Sequence, residues 1–402
     1  MFIREMSLAE FKEFANTHFI GNFHESINYA LIKAEEGFEY EFIAYGADDI
    51  VGAALILYKK IGSVYFGYSP RGFLIDYSID YLLEDFTNKI KEYYKNRNFA
   101  FIKINPEIAI AKLNKDTMNF EYNENYKIID MLTKNGYKKL KNNMNFESLL
   151  PRVNAIIKLD GYDYNNLSKN TRNKVKKGIR KGLILEKANP DKLNIFYKFI
   201  KNKINRDEYY YNDFYKTLDV DLMLVKVDYK AFLINAQEAY NEELRRNASF
   251  NNKLITNNNA NAINAKMNSD KALLSYKNDI AEASKNLNTG LETYVAGALV
   301  IKHQNRVIIQ ISGFNKAMSR FSPNYFLYYA LIKYYQQEYK YLDLNGITAD
   351  LSKENHYYGL NRFKMGFNPD VYEYIGEFDL VIDEKQYEKL LKSGLLAKEF
   401  NK

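Results

Sequence analysis

Val51-Gly52-Ala53-Ala54-Leu55-Ile56-Leu57 is a run of small and aliphatic residues that returns in similar form as Val295-Ala296-Gly297-Ala298-Leu299-Val300-Ile301. Each run is followed by a polar turn and a second β-branched segment. In both places there follow a glycine-containing loop, an amphipathic segment and a closing apolar run. The closing runs are residues 101–105 and 341–345. This shared order of elements predicts two related α/β domains in one chain.

The segments between loop and closing run have the spacing of amphipathic helices. Their apolar residues fall on one helical face, namely Ile79, Leu82, Leu83, Phe86 and Ile90 in the first copy and Leu327, Ala330, Leu331 and Tyr334 in the second. Ser322 before Pro323 predicts a helix start, and Ser78 can serve the same role in the first copy. Strand, strand, loop, helix, strand is the plan of the acyltransferase fold related to N-acetyltransferases (GNAT). We therefore expect an α/β (α+β) fold with two GNAT-like domains in tandem.

The first domain is expected over residues 1–150 and the second over 151–402, with an arm inserted into the second at 230–289. From Tyr229 to Leu287 the sequence has neither proline nor glycine, and apolar residues recur at spacings of three and four. With a turn at Asn257-Asn258-Asn259, this pattern predicts an antiparallel helical hairpin of coiled-coil type.

The composition excludes several kinds of site. The chain has no cysteine, so disulfides, thiolate metal sites and a cysteine nucleophile are excluded, and an intracellular protein is favoured. The four histidines are scattered, and no Walker loop, GxSxG elbow or HExxH motif occurs. Neither copy has the glycine-rich cradle for the pyrophosphate of coenzyme A, since 67–72 includes Pro70 and 313–317 has one glycine. We therefore expect no metal and no cofactor.

The charge is unevenly distributed along a chain whose net charge is +7. No acidic residue occurs between Tyr164 and Glu186, where Lys169, Arg172, Lys174, Lys176, Lys177, Arg180 and Lys181 crowd together. This cluster is consistent with phosphate binding and equally with a solvated helix face. Between Ala231 and Thr289, by contrast, seven Lys and Arg residues stand against six Asp and Glu residues. A spacer or packing role is therefore at least as consistent with the arm as RNA binding.

An enzyme without these cofactor sites needs a donor that is already activated. An amino acid esterified to tRNA meets this condition, because the ester reacts with an amine without further energy input. The protein then has to align the amine with the ester and to stabilise the oxyanion of the tetrahedral intermediate. Both tRNA and an acceptor that carries a pyrophosphate are polyanions, which would explain the basic cluster.

The most specific motif comprises residues 358–368, Tyr-Gly-Leu-Asn-Arg-Phe-Lys-Met-Gly-Phe-Asn, and the Glu373-Tyr374-Ile375-Gly376 that follows. This stretch is similar to the signature block of the Fem family of peptidoglycan aminoacyltransferases. These enzymes build the cross-bridge on the cell-wall stem peptide. The resemblance extends through most of the chain, with further motifs at 70–77, 101–106 and 172–177. The family also has paired acyltransferase-like domains and a helical arm at the place of the predicted insertion.

The resemblance implies roles for individual residues. Phe363 and Lys364 would lie at the reaction centre, with Lys364 placing positive charge near the acyl carbonyl or the acceptor peptide. Lys33 matches a lysine that binds acceptor phosphates. The implied substrate-binding residues are Lys33, Arg71, Asn105 and Arg206. Arg206 is the nearest candidate for an arginine of the family. The residues implied to bind tRNA or phosphate are Arg172, Lys174, Lys176, Lys177 and Arg180. Asn105 stands where the family commonly has an aspartate, and its amide cannot act as a base.

The favoured interpretation is a transferase that moves an amino acid from aminoacyl-tRNA to the side-chain amine of a peptidoglycan precursor, lipid-linked (lipid II type) or nucleotide-linked, in cross-bridge synthesis. We expect it in the cytoplasm, with transient peripheral contact at the inner face of the plasma membrane. Two alternatives remain open. One is an N-acyltransferase that uses acyl-CoA, and the other is a non-catalytic protein of the same fold that binds RNA or the cell-wall precursor.

Overall fold

Two β-sheets with helices packed against them form a mixed α/β structure. The computed structural model describes residues 1–147, 149–203, 206–256 and 259–396. No helix in these ranges has the length and apolar character needed to cross a membrane.

The strands are, in chain order, β1 Phe2–Glu5, β2 Glu39–Gly46, β3 Ile50–Ile61, β4 Val64–Ser69, β5 Phe99–Ile104, β6 Ala109–Leu113, β7 Phe120–Tyr122, β8 Tyr137–Lys139, β9 Val153–Lys158, β10 Leu183–Ala188, β11 Val220–Val227, β12 Tyr294–His303, β13 Arg306–Phe314, β14 Tyr341–Ile347, β15 Asp370–Tyr374 and β16 Phe378–Val381. The helices are α1 Leu8–Thr17, α2 Ile27–Glu35, α3 Asp80–Lys95, α4 Ile128–Lys134, α5 Lys169–Arg180, α6 Leu193–Ile200, α7 Glu208–Thr217, α8 Tyr229–Thr256, α9 Ala260–Thr289, α10 Pro323–Tyr335, α11 Tyr358–Met365 and α12 Glu384–Ser393.

The first five strands in the order of each sheet follow one plan. The first has the order β1-β2-β3-β4-β5-β16-β8, and the second has the order β10-β11-β12-β13-β14-β9-β15-β6-β7. In the first, β4 and β5 are parallel; in the second, β13 and β14 are parallel; the other described pairs are antiparallel. A parallel pair needs a crossover connection, which α3 supplies in the first sheet and α10 in the second.

Strands are exchanged across residue 150. β6 and β7 precede this residue but belong to the second sheet, whereas β16 follows it and pairs with β5 in the first. Lys103 on β5 and Asp379 on β16 form a buried ion pair at 2.7 Å. The predicted division at residue 150 stays a prediction, and each sheet is completed by strands from the other side of it.

The predicted helical faces are mostly buried, with Ile79 and Ala330 half-buried and Tyr334 exposed. Leu83 and Phe86 of α3 and Leu327 and Leu331 of α10 are almost fully buried. Tyr334, which was placed on the same face as Leu327, is 46% exposed.

The predicted helix starts differ in accuracy. α10 begins at Pro323 after Ser322, as expected, although the Ser322 side chain makes no capping hydrogen bond. α3 begins at Asp80, so the prediction that Ser78 caps this helix is wrong. The Ser78 hydroxyl instead donates to the Asp76 carboxylate at 2.6 Å, because the short aspartate side chain closes a local turn there.

α8 and α9 stand next to each other where the arm was predicted, and their contacts show that they run antiparallel. Ala236 and Ala283 are buried together near the base. Farther out the contact is polar, with the Asn247 amide donating to the Ser269 hydroxyl at 3.0 Å. Asn259 caps α9 by accepting a hydrogen bond from the Ala262 N–H, while residues 257 and 258 of the predicted turn lie outside the described ranges.

Two of the apolar residues that recur along these helices are exposed, Leu244 at 48% and Leu287 at 40%. These two positions therefore add little to the packing between the helices, whereas Ala236 and Ala283 join the core of the second sheet at the base.

The base of the arm is attached through ion pairs. Lys181, which follows α5, forms a buried ion pair with Asp279 of α9. Arg320 forms a bidentate pair with Glu282, of which one contact is 2.6 Å. Lys181 was grouped with the basic cluster in the sequence, but here it anchors the arm.

Replacing Asp279 with Ala should lower the free energy of unfolding by about 3 kcal/mol, because Lys181 would stay buried without its partner. Urea denaturation of the whole chain measures this change. The double variant Lys181→Met, Asp279→Leu should lose much less, since it removes both charges. Glu388→Ala, which breaks the exposed pair with Lys392, is the matched control and should change stability by less than about 0.5 kcal/mol. A loss in the Asp279 variant no larger than in this control would contradict the assignment.

Candidate functional site

Lys364 lies near the C-terminal end of α11 and its side chain is buried. The residue is 6% exposed, and its Nζ donates a hydrogen bond to the carbonyl of Gly346 at 2.7 Å. Burial lowers the pKa of Lys364 to about 8, against a smaller opposing effect of the Asp343 charge. The amine is therefore still protonated at neutral pH, but it holds its proton less tightly than a surface lysine.

Phe363 packs into a cluster of aromatic rings. Its ring centroid lies 4.9 Å from that of Tyr325, 4.8 Å from that of Tyr328 and 5.4 Å from that of Phe367, each pair being edge to face. These contacts fix the orientation of α11. Because successive helical residues point about 100° apart, Lys364 points in a different direction from Phe363.

A cavity of about 190 Å³ is lined by residues from both halves of the chain. Its lining residues are Asn22, Phe23, His24, Arg71, Glu107, Leu149, Leu150, Pro151, Asn154, Arg306, Ile308, Gln310, Asp343 and Asn345. The Gly346 carbonyl that accepts the Lys364 hydrogen bond follows directly on Asn345. Lys364 does not itself line this cavity, which we call the central cavity, but it bonds to the residue that follows a lining residue.

Arg306 is the main positive charge of the central cavity. Its guanidinium lies 2.6 Å from Glu107 and 3.6 Å from Asp343, and the Tyr374 hydroxyl donates to Glu107 at 3.1 Å. Burial alone would raise the pKa of Glu107, but the charges of Arg306 and Arg71 outweigh it and lower that pKa. At Asp343 burial prevails over Arg306 and raises the pKa. The two carboxyl groups therefore differ in basicity although they share one arginine.

Two polar atoms in the wall have no hydrogen-bond partner among the described residues. They are Arg71 Nε, a donor, and Asn154 Oδ1, an acceptor, and both are buried. An unpaired buried polar group costs about 1–3 kcal/mol. A ligand with an amide or hydroxyl group in the cavity would satisfy such atoms.

The structure brings together two predicted substrate-binding residues, Arg71 and Asn105. Asn105 Oδ1 accepts a hydrogen bond from the Arg71 backbone N–H at 2.9 Å. This bond supports Arg71 in the left-handed region, at φ 60°. The guanidinium then donates to the Pro151 carbonyl at 2.9 Å and lies 5.1 Å from the centre of the Tyr374 ring. Asn105 thus positions Arg71 and does not itself line the central cavity.

Lys33 and Arg206, also predicted to bind substrate, meet at one carboxylate. Glu36 lies 2.9 Å from Lys33 Nζ and 3.1 Å from the Arg206 guanidinium. Arg206 also stacks over Tyr210, with its guanidinium 4.7 Å from the ring centre. These two cations, one from each side of the predicted domain division, form a second positive site outside the central cavity, which we call the Lys33–Arg206 pair.

The predicted phosphate-binding residues of α5 lie mostly on an accessible face. Lys174 and Lys176 are exposed, whereas Arg172, Lys177 and Arg180 are half-buried. Arg180 differs from the others because it donates to the Tyr276 hydroxyl of α9 at 3.2 Å. None of the five forms an ion pair with an acidic residue in the described ranges, so this helix face keeps its positive charge.

Glu107, Arg306 and Asp343 were not predicted as site residues. Asp343 carried a signal, since it is a charged residue inside the apolar run 341–345, and such residues are seldom buried without a partner. Arg306 opens an apolar strand as many surface arginines do. Its partner Glu107 follows β5, so only the exchange of strands between the sheets brings the two together.

Comparison with known proteins gives consistent matches over nearly the whole chain. The family model described as the FemAB family matches residues 6–392. Lipid II:glycine glycyltransferase of Staphylococcus aureus (strain USA300) is 26% identical over 401 residues, which cover 94% of this chain and 92% of that protein. The protein of the same name from S. aureus (strain Mu50 / ATCC 700699) is 25% identical, with the same coverage. The crystal structure of FemX matches with a TM-score of 0.75 at 23% identity, covering 96% of this chain and 99% of that one, which shows a shared fold.

Replacing Lys364 with Met should raise the free energy of unfolding at pH 7 by about 1–2 kcal/mol. The lowering of the lysine pKa from 10.5 to about 8 corresponds to about 3 kcal/mol of destabilisation, and leaving the Gly346 carbonyl unpaired costs about 1–2 kcal/mol. The unfolded chain binds the proton more tightly, so wild-type stability rises as the pH goes from 8 to 10.5 and the advantage of the variant shrinks.

Chemical denaturation at several pH values measures this difference. Lys353→Met, at an exposed position, is the matched control and should show neither the gain nor its pH dependence. A Lys364 variant that is less stable than wild type at pH 7 would contradict the burial of a charged amine.

Proposed function

Because this chain belongs to the FemAB family, we propose that it is an aminoacyltransferase that moves an amino acid from aminoacyl-tRNA to the side-chain amine of the stem peptide in a peptidoglycan precursor. The name of the S. aureus relative, lipid II:glycine glycyltransferase, supports both the reaction class and a lipid-linked acceptor. Work on such an acceptor would bring a cytoplasmic protein into transient contact with the inner face of the membrane.

The observation that carries this proposal is the buried ammonium group of Lys364 beside the central cavity. In the reaction the acceptor nitrogen bonds to the ester carbonyl carbon, and the bond from that carbon to the ribose oxygen breaks. The proton lost by the nitrogen ends on the ribose hydroxyl. Negative charge develops on the carbonyl oxygen between these steps, and a fixed positive charge in a site shielded from water stabilises it.

The walls of the central cavity would orient the acceptor peptide. Arg71 Nε can donate to a peptide carbonyl, and Asn154 Oδ1 can accept from a peptide N–H, which would satisfy the two unpaired atoms. Holding the reacting groups in place in this way accelerates a two-substrate reaction. Phe363, fixed by its aromatic neighbours, would form the side of the reaction centre nearest Lys364.

The Lys33–Arg206 pair would bind the phosphates of the acceptor. Both side chains are held by Glu36 and are partly accessible, at 19% and 29% exposure. The exposed cations of α5, Lys174 and Lys176 among them, would contact the phosphates of the tRNA. Separate positive sites for the two polyanions allow both to be bound at once.

Each half of the protein would be a GNAT-like domain, the first within 1–150 and the second within 151–402, with the α8–α9 pair as a coiled-coil arm. The shared strand order supports this assignment, as does the helical crossover between the parallel strands of each sheet. The two domains would then derive from one duplicated unit, and the central cavity would lie between the copies.

Replacing Lys364 with Met should reduce aminoacyl transfer by at least about a hundredfold, since one lost oxyanion-stabilising group costs about this much. The measurement is product formation from charged tRNA and lipid-linked precursor. Lys353→Met is the control and should keep wild-type activity. Full activity of the Lys364 variant would rule out its role.

The same assay separates the proposal from its alternatives. Product formed by the wild type with charged tRNA supports the proposal. Turnover with an acyl-CoA alone would show a different acyltransferase, and binding of both substrates without product would show a non-catalytic binding protein.

Replacing Lys33 with Met should raise the KM for the phosphate-bearing precursor by about tenfold, because one charge-assisted hydrogen bond is worth about 1.5–3 kcal/mol. kcat should change little, since Lys33 is outside the central cavity. The stem peptide without phosphates provides the control substrate, for which wild type and variant should agree. An equal loss on both substrates would contradict the assignment of Lys33 to phosphate.

A further inference from the structure

Glu25 is a buried acid that the proposed function leaves without a role. The residue is 1% exposed, and no cation in the described ranges forms an ion pair with it. It follows directly on Asn22, Phe23 and His24, which line the central cavity, and its backbone N–H donates to the Asn22 carbonyl at 2.9 Å. Glu25 is thus joined to one wall of that cavity without lining it.

The Glu25 carboxyl group completes the hydrogen bonding of β3 at the place where β4 leaves it. The pairing of these strands ends at Leu57 and Tyr68, and the chain rejoins β3 at Leu74. Between these points the Leu55 N–H donates to one Glu25 carboxyl oxygen at 3.2 Å. The acid takes the place of a neighbouring strand here, because a buried backbone N–H left unpaired would cost free energy.

The other carboxyl oxygen of Glu25 supports the turn that carries Arg71. The Ser69 hydroxyl lies 3.2 Å from this oxygen, and the Gly72 N–H donates to the Ser69 carbonyl at 3.3 Å. A Cβ added at Gly72 would lie 1.8 Å from the same carboxyl oxygen, so only glycine leaves room for the acid. Residues 69–72, which we call the Arg71 turn, are therefore packed directly on Glu25.

The Arg71 turn delivers a positive charge to the central cavity. Arg71 lines the cavity with its Nε buried and unpaired, while another nitrogen of the guanidinium donates to the Pro151 carbonyl at 2.9 Å. Asn105 accepts the Arg71 backbone N–H at 2.9 Å. Asn105 and Glu25 thus hold the turn at two separate points, and a shift of either contact would move the guanidinium.

The charge of Glu25 depends on pH in the neutral range. Burial raises the pKa of its carboxyl group to about 8, against its two hydrogen bonds, which lower it. Two titratable or charged side chains lie on the segments packed around it. Burial raises the pKa of Tyr77 well above its usual value, with a smaller contribution from the charge of Glu25, and Arg71 directs its guanidinium to Pro151. Glu25 is therefore largely uncharged at pH 7, and above pH 8 it becomes an anion that no ion pair compensates.

We propose that Glu25 is a positioning residue for the acceptor, which fixes the Arg71 turn and thereby aims the Arg71 guanidinium at the acceptor peptide. This inference rests on the proposed function, because that function places the acceptor peptide in the central cavity. Glu25 itself touches no substrate and acts on acceptor binding through Arg71. An uncharged acid suits this role, because a carboxylate under the turn would attract the guanidinium away from the cavity.

The test measures binding of the nucleotide-linked precursor to the full chain by isothermal titration calorimetry, together with its KM and kcat in the transfer assay. Glu25→Ala should weaken binding and raise the KM by about tenfold or more, as expected when Arg71 loses a charge-assisted hydrogen bond to the acceptor. kcat should fall by a smaller factor. Glu25→Gln, whose amide can form the same two hydrogen bonds, should restore binding at pH 7 to within about twofold of the wild type.

A double variant separates positioning from a general loss of structure. Arg71→Ala should weaken precursor binding at least as much as Glu25→Ala. The double variant Glu25→Ala, Arg71→Ala should bind no more weakly than Arg71→Ala alone, because both changes remove the same contact with the acceptor. Glu41→Ala is the matched control, since Glu41 is another acid of the first sheet whose pKa is raised by burial, but it is paired with Arg97. This control should leave precursor binding unchanged.

The pH dependence provides a second test that does not require truncation of the side chain. Between pH 7 and pH 9, wild-type binding of the precursor should weaken by up to about tenfold more than binding by Glu25→Gln, since only the wild type gains a charge under the turn. Ionisation of the precursor itself affects both proteins equally and cancels in the comparison.

Precursor binding by Glu25→Ala as tight as that of the wild type would overturn the inference and leave the proposed function standing. Additive losses in the double variant would do the same, because they would show that Glu25 acts independently of Arg71. Should Glu25→Ala fail to fold, the glutamine variant decides, and a pH dependence that it shares with the wild type would overturn the inference. A wild type that neither binds the precursor nor uses it in transfer would overturn both proposals.

Discussion

The exchange of strands between the two sheets is the constraint on which the site depends. β6 pairs with β15 in the second sheet, and β16 pairs with β5 in the first. Glu107 lies in the short segment from β5 to β6, so it is carried from one sheet to the other and meets Arg306 at the start of β13. Separating the halves would break main-chain hydrogen bonds in both sheets. The central cavity is therefore lined by residues that strands shared between the two sheets hold in place.

The buried positive charge of Lys364, beside this cavity, has no ion-pair partner among the described residues and destabilises the folded protein. No carboxylate in the described ranges lies within ion-pair distance of Lys364, and its ammonium group donates to the neutral Gly346 carbonyl. A close acidic partner would stabilise the ammonium in the resting protein but would also neutralise it. A lysine left without that partner costs folding free energy and keeps its charge available for an oxyanion. Lys103, buried with Asp379, shows the paired alternative in the same molecule.

Local features of the fold could be predicted from the sequence, and long-range ones could not. The buried face of α3 follows from spacing alone, because helical periodicity is a property of neighbouring residues. The pairing of β16 with β5 depends on tertiary contacts, and a four-residue strand carries no mark of its partner. The sequence did not distinguish Lys181 from the rest of the basic cluster, because its burial depends on an ion pair with Asp279, which lies far along the chain. Lys364 was singled out by the motif around it, because residue type alone places a lysine at the surface.

The substitution of an amide for a carboxylate at Asn105 is compatible with the proposed chemistry. Glu107, two residues on, is held by Arg306 and Tyr374, and its lowered pKa makes it a weak base. Asp343 is more basic but already accepts hydrogen bonds from the Asn345 backbone N–H at 2.7 Å and from Asn154 at 3.2 Å. The ribose oxygen of an aminoacyl ester leaves as an alkoxide that can itself take the proton of the attacking amine, so the transfer does not require either carboxylate. What such a reaction requires of the protein is alignment and one stable positive charge, and these requirements fit a cavity with a buried lysine beside it.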